Sequence, residues 1–389
     1  MKTTWRKVKL GQIAEEVREL YEPSTAKSLA YIGLEHIAQQ SLQINGIGDS
    51  AQTQSTKKKF KNGDILFGSL RPYFRKVYRP SFDGVCSTDI TVIQAKEGYD
   101  QAFLFYFIAN KPFIDYATGH SNGTRMPRAN WKVLEKSEWT IPDLPTQRRI
   151  AAILSAYDDL IENNNHRIKI LEEMAQTIYR EWFVNFLFPG HEKVKMVNSK
   201  MGLPAGASAK AGKIPEGWEV VRVEEIIHRI PPGELYDKKT AMENGMVPIL
   251  DQGRSGVIGY HNNELGVVAS EDNPVIVFAN HTCYQRLIMF PFSAIQNVLP
   301  FIPSDKKMRN IIWLYYATKD LVKFNDYKGH WPELMNKKLI FPPAKLCSMF
   351  GQYVGIIIQE LWKYEQINTK LRKIRDLLLP KLVGGEVVV

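Results

Sequence analysis

The chain has 389 residues, 44% of them apolar, enough for two or three packed domains and too apolar for a disordered chain. Lys and Arg number 51 against 41 Asp and Glu, and the resulting charge of +10 points to a polyanionic partner, nucleic acid before membrane. Three scattered cysteines (Cys86, Cys283 and Cys347) exclude a disulfide scaffold, and no apolar run approaches the roughly 20 residues of a membrane span, so a cytoplasmic protein with no membrane partner is expected.

The basic start, MKTTWRKVKL, leads into no apolar stretch, so no signal peptide is expected. Trp5, Val8, Leu10 and Ile13 then open an alternating segment that returns later as Trp218, Val221, Val223 and Ile226. Gly63-Asp64-Ile65-Leu66-Phe67 has a counterpart in Asn273-Pro274-Val275-Ile276-Val277-Phe278, and both predict a short buried strand entered from a turn. Aromatic helical segments follow at 103–110 and 311–318. Phe113, Asp115, Tyr116, Gly119 and His120 are then echoed by Phe324, Asp326, Tyr327, Gly329 and His330. Each copy reaches a strand end marked by proline, at Pro142 and at Pro342-Pro343, and then a long helical stretch. A period near 205 residues is too long for a solenoid and predicts a duplicated unit of domain plus helix.

The helical stretches carry heptads. Ile161, Ile168, Ala175 and Trp182 lie seven apart, with Asn164, Leu171 and Ile178 at the complementary positions. Phe350, Ile357, Tyr364, Leu371 and Leu378 repeat the pattern, with Tyr353, Ile367 and Ile374 between them. Two such seams predict a coiled coil in which Asn164 sets the register. A helix over 147–182 would be about 54 Å long at 1.5 Å per residue, more than one small domain needs for packing. Residues 190–214, rich in Gly, Ala and Lys, predict a linker.

Catalytic patterns are lacking. The Ala-Gly-Lys at 211–213 fails as a phosphate loop, because no Gly stands five before Gly212 and Ile214 follows the Lys. No glycine-rich turn opens a cofactor-binding helix. His281 and Cys283 have no second pair of metal ligands, and Asp158-Asp159 reads as a solvated helix face. No metal site is expected.

Candidate nucleic-acid contacts cluster instead. In the first copy Lys57, Lys58 and Lys59 lead a basic segment, and Ser69, Arg71, Tyr73, Arg75 and Lys76 form a polar turn after a strand. His120, Asn122, Thr124, Arg125 and Arg128 mark a glycine-containing loop suited to close backbone approach to phosphate. In the second copy the candidates are Gln252, Arg254, Asn280, His281, Thr282, Arg286 and His330. Lys and Arg neutralise phosphates, while a few Arg, Asn or Gln side chains can read base edges. Similar frameworks with different polar tips suggest two readers of different sequences. A stand-alone DNA-binding protein with a coiled coil, and a nuclease with an unrecognised site, are the competing readings.

The chain resembles, over nearly its whole length, the specificity subunits of type I restriction–modification systems. The resemblance rests on Ile141-Pro142, Leu144-Pro145-Thr146-Gln147-Arg148-Arg149-Ile150, Asp158-Asp159, Asn163-Asn164 and Arg180-Glu181-Trp182-Phe183, with Asn368 to Leu382 similar to the C-terminal helix of that family. Leu70-Arg71-Pro72-Tyr73, Cys86-Ser87-Thr88-Asp89 and Thr124-Arg125-Met126-Pro127 are similar to its target-recognition domains. Thr146 departs from the Glu common there, and Ala344-Lys345-Leu346-Cys347 lacks the Gln-Arg pair of the first copy.

The resemblance implies an α+β chain with two repeated α/β target-recognition domains separated by two long antiparallel coiled-coil helices. The domains would be 1–144 and 215–343, with helical regions 145–189 and 344–389 and the linker at 190–214. It implies a non-catalytic subunit reading a bipartite site in double-stranded DNA. DNA adenine methyltransferase subunits and restriction/translocase subunits would be its partners. S-adenosylmethionine, ATP and Mg would belong to those partners, and no cofactor to this chain.

The charge has an address in this arrangement. Residues 51–150 carry 16 Lys and Arg against 9 Asp and Glu, and residues 301–389 carry 15 against 8. The excess thus lies in two blocks, one in each repeat.

Overall fold

The computed structural model describes residues 4–23, 28–199, 212–253, 256–304, 310–326 and 328–389. The chain divides into two compact units, one of residues 1–165 with 366–389, the other of residues 166–365. The division falls inside both long helices.

In the first unit, Ile65–Gly68 is buried at every position, as a short continuous apolar run predicts. It lies between Ile90–Ala95 and Val77–Tyr78, and Ala14–Val17 completes an antiparallel four-stranded sheet. Trp5–Lys9 pairs with Glu138–Pro142, tying the start of the domain to its end. A five-stranded sheet runs in the order Leu20–Tyr21, Lys57–Phe60, Gly84–Cys86, Ala30–Ile32, Gly48–Asp49. The helix Gln101–Ala109 is apolar on all sides, buried from Phe103 onward, and capped by Asp100, whose carboxylate accepts from Phe103 N at 2.8 Å. The helix Lys111–Gly119 follows at once. Phe67 meets Phe113 edge to face at 5.8 Å, and Phe107 meets Trp139 at 5.2 Å. Each such buried ring stabilises the core by roughly 1.5–3 kcal/mol.

The second unit repeats two of the three sheets strand for strand and differs in the third. Ile227–Arg229, Val298–Pro303, Val275–Ala279 and Gln285–Ile288 form an antiparallel sheet in the same order, and Glu219–Arg222 pairs with Lys338–Phe341. The third sheet has four strands, Leu235–Tyr236, Ser293–Ile295, Val247–Leu250 and Val257–His261. The helix Ile311–Thr318 is capped by Asn310, which accepts from Ile312 N at 2.8 Å. The duplication expected from the sequence is therefore a duplication of topology.

One echo does not survive. His120 ends the helix Lys111–Gly119, whereas His330 precedes the helix Trp331–Asn336, as Asn130 precedes Trp131–Leu134. Trp131 and Trp331 are the matching residues, and the two Gly-His pairs stand at different places. In the segment read as a linker, Met196–Asn198 pairs with Lys213–Pro215, while residues 200–211 lie outside the described residues.

The long helices span Leu144–Tyr179, ending in a π turn at Arg180–Val184, and Ala344–Val383. Within each unit their segments pack antiparallel. In the first, Asn164 meets Asn368 and Asp158 meets Arg375; in the second, Arg167 meets Tyr364, and Trp182 and Phe183 meet Phe350. In the second helix Phe350 and Tyr364 meet the first helix as predicted, but the seam passes one residue beyond the complementary positions. Tyr353, Ile367 and Ile374 are exposed, while Val354, Asn368 and Arg375 are buried. Polar Asn368 and charged Arg375 enter the seam because each has its partner there, so hydrophobicity alone points to the wrong side.

Candidate nucleic-acid interface

The first unit brings its turn and its loop together. The strand Ile65–Gly68 ends at Ser69, whose N–H and hydroxyl both donate to Asp89 O, at 2.9 and 2.7 Å. Arg71 N donates to Pro127 O at 2.7 Å, and Ala129 N to Ser69 O at 2.9 Å. Asn122 and Arg128 exchange backbone hydrogen bonds at 3.0 and 2.9 Å, closing a loop whose tip carries Thr124 and Arg125. Gly123 turns that tip at φ +97°, a left-handed conformation costly for a residue with a Cβ. Asn122, Thr124, Arg125 and Arg128 are exposed, and so is His120, whose ring stacks on Tyr116 at 3.9 Å. Arg128 pairs with Asp89, which orients its guanidinium at the cluster rim.

The turn itself is unusual. Arg71 and Arg75 both take left-handed conformations, at φ +51° and +48°, and bracket a 3₁₀ turn at Pro72–Phe74. Tyr73 is exposed and meets Phe74 edge-on at 4.6 Å. The Nε of Arg71 is buried without an acceptor, and its Nη2 reaches Arg125 O at 3.5 Å. Arg71 is thus placed beside the exposed loop with hydrogen-bonding capacity to spare.

Five sequence candidates stand elsewhere. Lys57 is buried, with Nζ on Ser55 Oγ at 2.7 Å and the Tyr31 ring at 5.7 Å. Lys58 Nζ donates to Ile90 O at 3.0 Å and faces Glu16 at 3.5 Å, and Lys59 pairs with Glu19. Lys76 Nζ donates to Leu34 O, and burial pushes its pKa below that of an ordinary lysine against the pull of Glu35. Arg75 is turned inward, with Nε on Ala109 O at 2.7 Å. These cations are committed to the protein.

In the second unit three loops converge. Gln252 accepts from His281 N at 2.9 Å through its side chain and from the Thr282 hydroxyl at 2.6 Å through its carbonyl. Asn280 Oδ1 accepts from Trp331 N at 2.8 Å, and His330 N donates to Asn280 O at 2.9 Å. The His281 ring stands 3.0 Å from Lys328 O. A Cβ on Gly329 would stand 3.0 Å from Asn280 Nδ2, a tight contact that would press on the Asn280 side chain. Arg286 donates to Asp251 O at 2.9 Å beside the Tyr284 ring, and burial lowers its pKa against the opposing pull of Asp251. Thr282 is exposed, whereas His330 is fully buried, its ring on Asp326 O at 3.1 Å and Glu333 at 3.4 Å. Arg254 lies outside the described residues.

Asp89, Asp251 and Asn297 were not among the candidate contacts read from the sequence. Asp89 and Asn297 occupy the same place, just before the inner strands Ile90–Ala95 and Val298–Pro303. Asp89 holds Ser69 and Arg128, and Asn297 accepts from Asn280 Nδ2 at 3.2 Å. The signal they share is that position, and Asp89 also stands in the stretch Cys86-Ser87-Thr88-Asp89.

The topology and loops define a class: two repeated α/β domains that present different polar loops from one framework, joined to antiparallel long helices. Residues 2–173 match the type I restriction modification DNA specificity domain. The chain is 25% identical over 368 residues to the type I restriction enzyme MjaIX specificity subunit of Methanocaldococcus jannaschii, covering 87% of this chain and 81% of that one. It is 22% identical over 468 residues to the type I restriction enzyme HindI specificity subunit of Haemophilus influenzae, covering 98% and 99%. The fold is similar to that of the type I restriction–modification system S subunit from M. genitalium, with a TM-score of 0.57 and 17% identity over 98% and 96% of the two chains. Over most of its length the chain is similar to type I restriction enzyme specificity subunits. No helix among the described residues is long and apolar enough to cross a membrane.

Proposed function

We propose that this chain directs a type I restriction–modification complex to a bipartite DNA site, each unit reading one half. One observation carries this reading: the same topological position, after the strands Ile65–Gly68 and Val275–Ala279, bears a polar loop cluster in both units, with different side chains in each. Different tips on one framework suit two half-sites of different sequence, read from major-groove edges while neighbouring cations meet phosphates. The first unit would offer Arg71, Tyr73, Asn122, Thr124, Arg125 and Arg128, and the second Gln252, Asn280, His281 and Thr282, whereas Ser69 and Arg286 are turned onto Asp89 O and Asp251 O.

The target-recognition domains are proposed at 1–144 and 215–343, with helical regions at 145–189 and 344–389 and the linker at 190–214. Exposed Ile153 and Leu160 on the first helix, with Ile367, Ile374 and Leu377 on the second, leave apolar surface in the first unit for a partner's helices. That surface suits methyltransferase subunits, with restriction/translocase subunits joining for cleavage. S-adenosylmethionine, ATP and Mg are assigned to those partners in the cytoplasm. Flipping of the target adenine, costing a few kcal/mol of unstacking, would be completed in the methyltransferase pocket.

The test is reconstitution of the full chain with its cognate methyltransferase on duplex libraries. Methylation confined to duplexes with two separated half-sites, and dependent on this chain, supports the proposal. Sequence-independent methylation, or none requiring this chain, refutes it.

A further inference from the structure

The turn Arg71 to Arg75 needs an explanation for its shape. Left-handed backbone is disfavoured for residues with a Cβ, and here it occurs at both ends of one turn. The upstream end is fixed by Arg71 N on Pro127 O at 2.7 Å and by the bridge between Leu70 and Arg128.

The downstream end is fixed through the Arg75 side chain. Its Nε donates to Ala109 O at 2.7 Å, the last residue of the helix Gln101–Ala109, where backbone carbonyls lack helical partners. Its Nη2 stands 3.7 Å from the Asp376 carboxylate on the second long helix. Asp376 is in turn held by Arg375 at 3.1 Å, and the fully buried Arg375 also pairs with Asp158 and donates to Ser41 O at 3.3 Å. Asp158 accepts from Tyr106 Oη at 2.6 Å, and Tyr106 lies on the same helix as Ala109. The circuit closes: turn, Arg75, Asp376, Arg375, Asp158, Tyr106, helix, Ala109 and back to Arg75. Two arginines balance two aspartates inside it.

The second unit anchors its counterpart without charge. Gln285 Nε2 donates to Tyr315 O at 2.8 Å and stands 3.1 Å from Thr318 Oγ1, at the end of the matching helix. Neither partner is a carboxylate of a long helix, so the two turns are held by different chemistry.

We propose that Arg75 and Asp376 are positioning residues for the first half-site: together they hold the turn that presents Arg71 and Tyr73, so the C-terminal helix takes part in choosing that half-site. Arg75 then acts through Arg71 and not on DNA. The inference rests on the DNA-reading function proposed above.

The experiment uses the full chain in complex with its cognate methyltransferase and measures binding to duplexes mismatched in one half-site or the other. The variants are Asp376→Asn, Asp376→Glu, Arg71→Ala, and Arg71→Ala combined with Asp376→Asn, each checked for thermal stability. Asp376→Asn is expected to cut discrimination at the first half-site roughly five- to tenfold, from the scale of a base-reading arginine, and to leave the second unchanged. Asp376→Glu is expected to retain it. On the Arg71→Ala background Asp376→Asn is expected to add nothing, because residues acting through one another are not additive. Full additivity, equal loss at both half-sites, or unaltered discrimination overturns the inference. A native complex that discriminates at neither half-site refutes the DNA-reading function itself, a result distinct from these.

Discussion

Asn164 Nδ2 donates to Asn368 Oδ1 at 2.9 Å inside the helix pair of the first unit, and Asn368 Nδ2 donates onward to Asn165 Oδ1 at 2.9 Å. Both amides of the first bond are buried. A matched polar pair in an apolar seam fixes register, because any slip leaves an amide unsatisfied. Replacing Asn368 alone by Ala is expected to destabilise the first unit by about 1–3 kcal/mol. Replacing Asn164 and Asn368 together by Leu is expected to cost less than that single change. Denaturant unfolding of the three proteins checks the order.

Arg71 stands at the junction of turn and loop with a buried Nε that lacks an acceptor. Arg71→Ala is expected to weaken recognition of one half-site by roughly 1–3 kcal/mol and to leave the other intact. Gln252→Ala removes the side-chain oxygen that accepts from His281 N, and its loss is expected at the opposite half-site. Binding to duplexes with single-base changes in each half-site separates the two.

The salt dependence of binding distinguishes the exposed loop from the basic strand. Arg125 is exposed at the loop tip, whereas Lys59 is paired with Glu19. Arg125→Ala is expected to reduce the slope of log affinity against log salt by about 1 if it meets a phosphate, and Lys59→Ala to leave that slope unchanged. Titrations at several salt concentrations check both.

Helix length should set the distance between half-sites. The antiparallel contacts mean that an insertion in one helix alone would break register, as Asn164 with Asn368 and Arg167 with Tyr364 require. Seven residues added after Ile168 and seven after Lys363 lengthen both helices by about 10 Å at 1.5 Å per residue. At 3.4 Å per base pair this is roughly three more base pairs of unread spacer, with both half-sites unchanged. Methylation of a spacer-length library measures it.

Alkaline stability follows from buried acids. Burial raises the Tyr78 phenol from 10.0 to about 12, with Glu162 adding to the shift, and burial raises the Cys86 thiol from 9.0 to about 12. A raised folded pKa favours the neutral form, so this stability is complete below pH 9 and is lost as pH rises towards about 12. Absorbance at 295 nm is expected to show a tyrosine fraction that ionises only with unfolding.

Much of this was legible in the sequence where apolar runs dictate structure. Ile65, Leu66 and Phe67 announce a buried strand, and the apolar run through Phe103 to Ala109 announces a buried helix, because burial is a property of the local run. The segments 69–76 and 280–286 were legible as polar turns after strands, and 120–128 as a polar, glycine-containing loop. The fate of their charges was not. Lys58 is committed to Ile90 O and Glu16, and Arg75 to Ala109 O, tertiary partners that local charge cannot reveal. The seam of the second helix was misplaced for the same reason, since Arg375 is buried by virtue of Asp158.

The most direct test of a two-reader subunit is long-read mapping of DNA methylation in cells carrying this chain with its methyltransferase, beside cells carrying Arg71→Ala. A chain-dependent motif of two different half-sites at fixed spacing, with only one half relaxed by Arg71→Ala, is the expected result. A single continuous motif, or relaxation of both halves together, would contradict it.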